Sequence, residues 1–496
     1  MRNVLIVAAL LFTAAAAASS RTVVISSAES TSFGTWEGWG VSLAWWANIW
    51  GEEANLASAI FSLSESVTVA GVAAPGLGLT TARYNVGGSS NIPTSDGKRM
   101  IASPNIPGWK QIEAFWIDSI DTPESWNWTR DANQVSMLKS AQSFGAVSFE
   151  LFSNSPVWWM LKNYNPSGSN DGTSDNLESA FIGNHSHYLV QVARHARDVW
   201  GINFTSIELF NEPVATWWHA DGTQEGCHFD ASTQASALAT LPQMLTEAGF
   251  TGNGVNTRIA ASDESRIDMA QSTWNSWGGA TRAIIDQFNV HGYQDGGDRA
   301  GLYQSVVVKG GKILHDSEYG DGDGTGGTMA QSILADWSLL HPRAWAYWQI
   351  IDVADGWGLR KGNADTGVLD SQVNTKWLVV AQFSRHIRYG AEILQVSDPL
   401  VGTAATLDVQ RGNTLTIVVQ NYDASSSQIT IDLSQFQTVP VGTVNAWLTS
   451  TVSSTPTPGQ AYSPLSGVTV GNNKNIVIEM GGWSIVTIEV QGVLRK

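Results

Sequence analysis

The sequence predicts a (β/α)8 TIM barrel with an attached antiparallel β-sandwich domain, on three observations. From residue 36 to residue 387, short apolar, β-branched segments alternate with longer segments of helical period. Beyond residue 388 the alternation tightens to period two, in Thr, Val, Ser, Gln and Ile, with turn signals between the runs. Two of the strand-like segments also end on a glutamate, at the position where parallel-strand folds carry their chemistry.

In chain order, residues 1–20 read first, as a secretory signal: Arg2, an apolar run from Val4 to Phe12, then Ala14 to Ala18, too short to span a bilayer. No other apolar run approaches membrane length, so the expected mature chain is soluble, secreted and extracellular. Residues 21–35 contain a β-branched strand expected to join the sandwich of residues 388–496. The eight barrel strands are expected at 38–44, 79–85, 146–154, 206–211, 259–263, 287–293, 313–318 and 344–350. Helical patterns fall between them, at 131–144, 185–200, 235–248, 280–286 and 329–340. In the last hundred residues, Thr414-Leu415-Thr416-Ile417-Val418-Val419 and Ile476-Val477-Ile478-Glu479 read as strands. Arg411-Gly412-Asn413 and Gly481-Gly482 mark turns, and residues 450–458 a long loop.

Composition narrows the function. A chain of 496 residues exceeds what one core usually accommodates, so two domains are expected. A net charge of −17 argues against nucleic acid or an anionic membrane as partner. Cys227 is the single cysteine, which leaves no internal disulfide. Asn127, Asn184 and Asn203 each begin a glycosylation sequon. The 23 tryptophans suit stacking against sugar rings. Pairs such as Trp45-Trp46, Trp158-Trp159 and Trp217-Trp218 are not all expected to point inward, so some should line a cleft.

The chemistry rests on two carboxylates. Ser206-Ile207-Glu208-Leu209-Phe210-Asn211-Glu212-Pro213 is a strand stopped at Asn-Glu-Pro, where proline cannot continue the ladder. Ile313-Leu314-His315-Asp316-Ser317-Glu318 ends similarly. Retaining glycoside cleavage needs one carboxylic acid to protonate the leaving oxygen and one carboxylate to attack the anomeric carbon. Arg83 at the end of the second strand offers positive charge, His291 and Tyr293 at the end of the sixth offer hydrogen bonds, and Trp348 offers a flat floor for the sugar. Asn154, Trp45 and Trp158 complete the expected substrate-binding set.

With these residues in view, the chain resembles glycoside hydrolase family 30 over nearly its whole length. The resemblance implies that Glu212 is the acid/base, Glu318 the nucleophile and Asn211 a ligand of the sugar 2-hydroxyl. Within the family it is most similar to fungal endo-β-1,6-galactanases, through Gly38-Trp39-Gly40-Val41-Ser42-Leu43-Ala44-Trp45-Trp46, Arg83-Tyr84-Asn85-Val86-Gly87-Gly88 and Ser153-Asn154-Ser155-Pro156-Val157-Trp158-Trp159-Met160. That implies a monomer acting on β-1,6-galactan. β-1,6-Glucan, glucosylceramide, glucuronoxylan, end-acting release of galactobiose and carbohydrate binding without turnover stay open as alternatives. Gly322-Asp323-Gly324-Thr325-Gly326-Gly327 has dinucleotide-loop spacing, but its aspartate would repel phosphate. Neither Asp321/Asp323 nor the histidines near Cys227 and His185 have the spacing of a metal site. No metal or organic cofactor is expected.

Overall fold

The computed structural model describes residues 19–252, 255–293 and 297–496; residues 1–18, which carry most of the expected leader, lie outside the described residues. Eight parallel strands close into a barrel: β1 (Gly38–Ser42), β2 (Thr81–Asn85), β3 (Ser148–Phe152), β4 (Ser206–Glu208), β5 (Arg258–Glu264), β6 (Gln287–His291), β7 (Ile313–Tyr319) and β8 (Ala344–Tyr347). Neighbours run in chain order around the ring, and β8 pairs with β1 (Trp345 beside Trp39). Strands buried on both faces need nearly continuous apolar or hydrogen-bonded side chains, and β1, β2, β4 and β6 are buried at every position.

β4 is shorter than the expected 206–211. The Phe210 N–H donates to Glu208 Oε1 at 3.2 Å, and the Leu209 carbonyl accepts from His185 Nε2 at 2.8 Å. Side chains thus take the backbone groups that a longer ladder would have used, and the chain is free to turn.

Helices intervene between the strands, among them Ala132–Phe144, Ile182–His195 and Gly327–Ala335. The single helix expected at 235–248 is two, Ala231–Leu238 and Leu241–Glu247. Pro242 explains the break: lacking an N–H, it is tolerated in a helix's first turn but not in its interior. Helix Thr375–Ser384 is buried at all ten positions, between the barrel and the C-terminal sheets.

Two six-stranded sheets make the second unit. One contains Ser19–Ile25, Ser427–Asp432 and Asn475–Met480; the other Thr403–Asp408, Thr414–Asn421, Ser484–Val490 and Asn445–Ser450. Val23, Ile25, Ile429, Ile431 and Ile478 of the first share a core with Leu415, Ile417, Val486 and Ile488 of the second, at the period of two that strands impose. Pairing is antiparallel with one difference from expectation: Ser19–Ile25 runs parallel to Ser427–Asp432. A parallel pair needs a long crossover, and here the whole barrel is the connection. Thr487 Oγ1 donates to the Gln382 carbonyl (2.8 Å), and Gln382 Nε2 to Thr449 Oγ1 (2.8 Å), tying the second sheet to the buried helix.

Candidate active site

The C-terminal ends of the barrel strands meet at a cleft of about 680 Å3, lined by Asn211, Glu212, Tyr293 and Glu318, with Trp45, Trp348, Trp217, Trp218 and Trp357 among its walls. Glu212 comes after β4 in a left-handed conformation (φ +48°), and its N–H donates to the Asp263 carbonyl of β5 (2.8 Å). Asp263 also has positive φ (+60°). Such a conformation costs a non-glycine residue on the order of 1 kcal/mol, so two acidic neighbours held in it show that surrounding contacts override the local preference.

The carboxylates converge. Glu212, His291 and Glu318 each contribute one atom to a set in which all lie within 4.8 Å of one another. His291 Nδ1 stands 3.3 Å from Glu212 Oε1 and 3.6 Å from Glu318 Oε1. Its Nε2 lies 3.3 Å from Asp263 Oδ2, within ion-pair distance but outside hydrogen-bond geometry. Glu318 accepts from Tyr293 Oη (2.7 Å) on Oε1 and from Arg83 Nη1 (3.0 Å) on Oε2. Arg83, buried beneath the site, also donates to Glu150 Oε1 (2.7 Å) and Asp263 Oδ2 (2.8 Å).

This crowding sets the electrostatics. Burial pushes the Glu318 carboxyl up to about 7; His291 and Arg83 oppose it, and the Asp263 and Glu212 carboxylates add to it. Burial alone would raise Asp263 too, but Arg83 and His291 hold it below the usual carboxylate range. His291, which burial would keep neutral, is pushed well above its ordinary value by Glu318 and Asp263. The imidazolium and the guanidinium are thus the cations set among Glu150, Glu212, Asp263 and Glu318.

The chain matches the profile of O-glycosyl hydrolase family 30 over residues 20–304. It is 45% identical over 472 residues to an endo-beta-1,6-galactanase of Hypocrea rufa, the match covering 94% of each chain. The chain belongs to glycoside hydrolase family 30. An exo-beta-1,6-galactobiohydrolase of Bifidobacterium longum subsp. longum is 22% identical to this family 30 hydrolase, over 81% of this chain and 34% of that one. The catalytic domain of GH30 xylanase C from Talaromyces cellulolyticus shares its fold, with a TM-score of 0.68 at 19% identity, covering 95% of this chain and 100% of that one.

Of the residues singled out from the sequence of this family 30 chain, Glu212, Glu318, Asn211, Tyr293, Trp45 and Trp348 line the cleft, while Arg83 and His291 stand directly behind the carboxylates. Asn211 Oδ1 is buried and has no hydrogen-bond partner among the described residues. Two further expected residues lie outside the cleft lining. Trp158 is fully buried (0% exposed) in the barrel's core cluster, which also holds the buried Trp46 and Trp159, rather than on a cleft wall. Asn154 is buried, its backbone N–H given to Asn85 Oδ1 (3.2 Å), and lies outside the cleft lining. Adjacent tryptophans alone do not reveal which ring faces outward. The sequons start at Asn203, which is exposed, and at Asn127 and Asn184, which are half-buried.

Sequence reasoning missed Glu150 and Asp263, whose signal was a charged residue inside an otherwise buried strand. It also left Lys110 and Trp357 unmentioned as cleft residues and named Trp217 only as one of several paired tryptophans of which some would line a cleft. Trp217 Nε1 donates to Glu212 Oε2 (3.2 Å), and Trp218 Nε1 to the Glu212 carbonyl (2.9 Å). Gly226 lies flat against the Trp218 ring, where an added Cβ would come within 2.0 Å, so glycine is required there for the ring to seat.

Proposed function

We propose that this family 30 hydrolase is secreted and cleaves internal β-1,6-galactosidic bonds of galactan and arabinogalactan side chains with retention of configuration. The observation that carries the mechanism is the approach of Glu212 and Glu318 across a single cleft, with carboxylate oxygens within 4.8 Å of each other. Retaining enzymes hold their two carboxyl groups about 5–5.5 Å apart, and inverting enzymes wider to admit a water. The identity to the Hypocrea rufa enzyme supports the choice of sugar and linkage. The same reading takes the fold as a (β/α)8 barrel with a β-sandwich side domain, and the leader as the route out of the cell.

In the first step, Glu318 attacks the anomeric carbon while Glu212 gives its proton to the departing O6, forming a glycosyl ester and a free galactan end. Arg83 and Tyr293 aim the two oxygens of Glu318 and favour its charged form. Glu212, now ionised, takes a proton from water, which attacks the ester and restores Glu318. Protonated His291, between the carboxylates, offsets the negative charge that alternates between them. On this reading Asn211 holds the 2-hydroxyl, and the Trp45 and Trp348 rings, packed edge to face at 4.9 Å, give the sugar an apolar surface.

The test is to incubate the purified protein with β-1,6-galactan, β-1,3-galactan, β-1,6-glucan and glucuronoxylan and identify products by mass. A ladder of galacto-oligomers from β-1,6-galactan is expected. Galactobiose as the sole product would replace internal cutting with end-acting release, and turnover of another polymer alone would overturn the sugar assignment.

A further inference from the structure

Trp217 is an unusual tryptophan for this chain: 46% of its surface is exposed, on the cleft, while its indole N–H is committed to Glu212 Oε2. The two oxygens of Glu212 are therefore held by different partners. Oε1 faces His291, which also approaches Glu318; Oε2 faces Trp217, for which no contact with Glu318 is found among the described residues. On the reading above Glu212 protonates the leaving oxygen, so a ring bonded to its carboxyl lies beside the leaving group.

The segment that presents this ring is tied down by hydrogen bonds. Trp218 is pinned to the Glu212 carbonyl and to Gly226. The next turn is braced from outside: Asn165 Nδ2 donates to the Ala220 carbonyl (2.7 Å), Ser103 Oγ to the Gly222 carbonyl (2.6 Å), and residue 169 pairs with residue 219. An apolar ring left half in water on so constrained a loop is a surface prepared for contact.

Resting on the functional reading above, we propose that Trp217 forms the leaving-group subsite, stacking on the galactose whose O6 departs, and is at the same time the positioning residue of Glu212. A 1,6 linkage adds a rotatable bond beside the oxygen to be protonated. Stacking on that galactose limits the rotation, while the indole N–H fixes the carboxyl that must meet the oxygen. One side chain thereby couples recognition of the leaving sugar to the geometry of proton transfer.

The experiment compares wild type, Trp217→Ala and Trp217→Phe on β-1,6-galactan and on 2,4-dinitrophenyl β-1,6-galactobioside, whose leaving group carries no sugar and needs no proton. Trp217→Ala is expected to lower kcat/KM on galactan by at least about tenfold, mainly through KM, and to change the aryl substrate by less than about threefold. Trp217→Phe keeps an apolar ring but loses the donor. Its KM should stay near wild type while kcat on galactan falls by about threefold or more and kcat/KM on the aryl substrate does not, because the carboxyl loses the donor that aims it at the leaving oxygen. Equal losses on both substrates in a folded Trp217→Ala enzyme overturn the subsite, and a wild-type kcat on galactan in Trp217→Phe overturns the positioning role. A wild type inert on β-1,6-galactan overturns both together with the functional reading, whereas an active wild type with an indifferent Trp217→Ala removes only the role given to Trp217.

Discussion

At the N-terminal end of the barrel one carboxylate, Glu37, is surrounded by Arg258 (2.5 Å), Arg343 (3.1 Å) and His315 (3.1 Å), whereas toward the C-terminal mouth Glu212, Asp263 and Glu318 share Arg83 and His291. At the floor positive charge is in excess. Burial works against the Glu37 charge, but His315 and Arg258 hold its carboxyl far below the usual range. At the mouth negative charge is in excess and the Glu318 carboxyl is pushed up to about 7. The floor has the balance of a structural ion cluster. The mouth holds carboxylates whose charge is poorly compensated, and such groups can exchange protons and form an ester near neutral pH.

The sharpest way to break this contrast is at the mouth. Glu318→Gln should abolish hydrolysis, with a loss on the order of 10^3-fold or more, while the melting temperature at pH 8 does not fall, since an amide removes a poorly compensated charge. Near-normal turnover in that variant would remove Glu318 from the chemistry. Glu212→Ala should lose about 10^2- to 10^4-fold on galactan yet recover on an activated aryl glycoside when azide is supplied, giving a glycosyl azide of retained configuration. An azide of inverted configuration, or no rescue, would count against the acid/base role.

At the floor the signs exchange. Glu37→Gln leaves two arginines and a histidine around a neutral group and should cost about 3 kcal/mol of stability, visible in chemical denaturation, with kcat unchanged below the new melting point. A stable variant with impaired turnover would erase the distinction between the two ends.

A smaller effect concerns pH. Burial pushes Asp131, Glu225 and Glu264 each up to about 8. A carboxyl raised in the folded state contributes stability that is fully present below its unfolded value, near 4, and is lost as pH rises through about 8. Glu37 and Asp263, held low, contribute in the opposite sense, with stability present above the usual carboxylate range and lost on strong acidification. The melting temperature should therefore be highest in mildly acidic buffer and decline toward pH 9, and Glu225→Gln should flatten that decline. A melting temperature still rising at pH 9 would contradict the assignment.

How much of this was legible in the sequence varies with the kind of interaction. The eight barrel strands declare themselves through apolar runs, and Asn211-Glu212-Pro213 and Ser317-Glu318 through polar residues at their tips. The two-helix segment before β5 was signalled by Pro242, a weaker mark than the apolar periodicity around it. The inward-pointing Glu150 and Asp263 were not legible because their partner Arg83 is distant in the chain, and only ring closure brings them together. Trp158 and Trp217 look alike in sequence, each the first of a Trp-Trp pair. What separates them is the loop geometry that buries the first and leaves the second facing the cleft.

The strand Ser19–Ile25, second from the edge of its sheet, finds its parallel partner only in residues 427–432. During synthesis residues 19–25 therefore lack this partner until residues 427–432 have left the ribosome, although Val396 and Ser397, on their other side, emerge earlier. The same dependence means that trimming either terminus opens a gap in one sheet, and any version shortened to the barrel alone would have to forfeit its first strand as well.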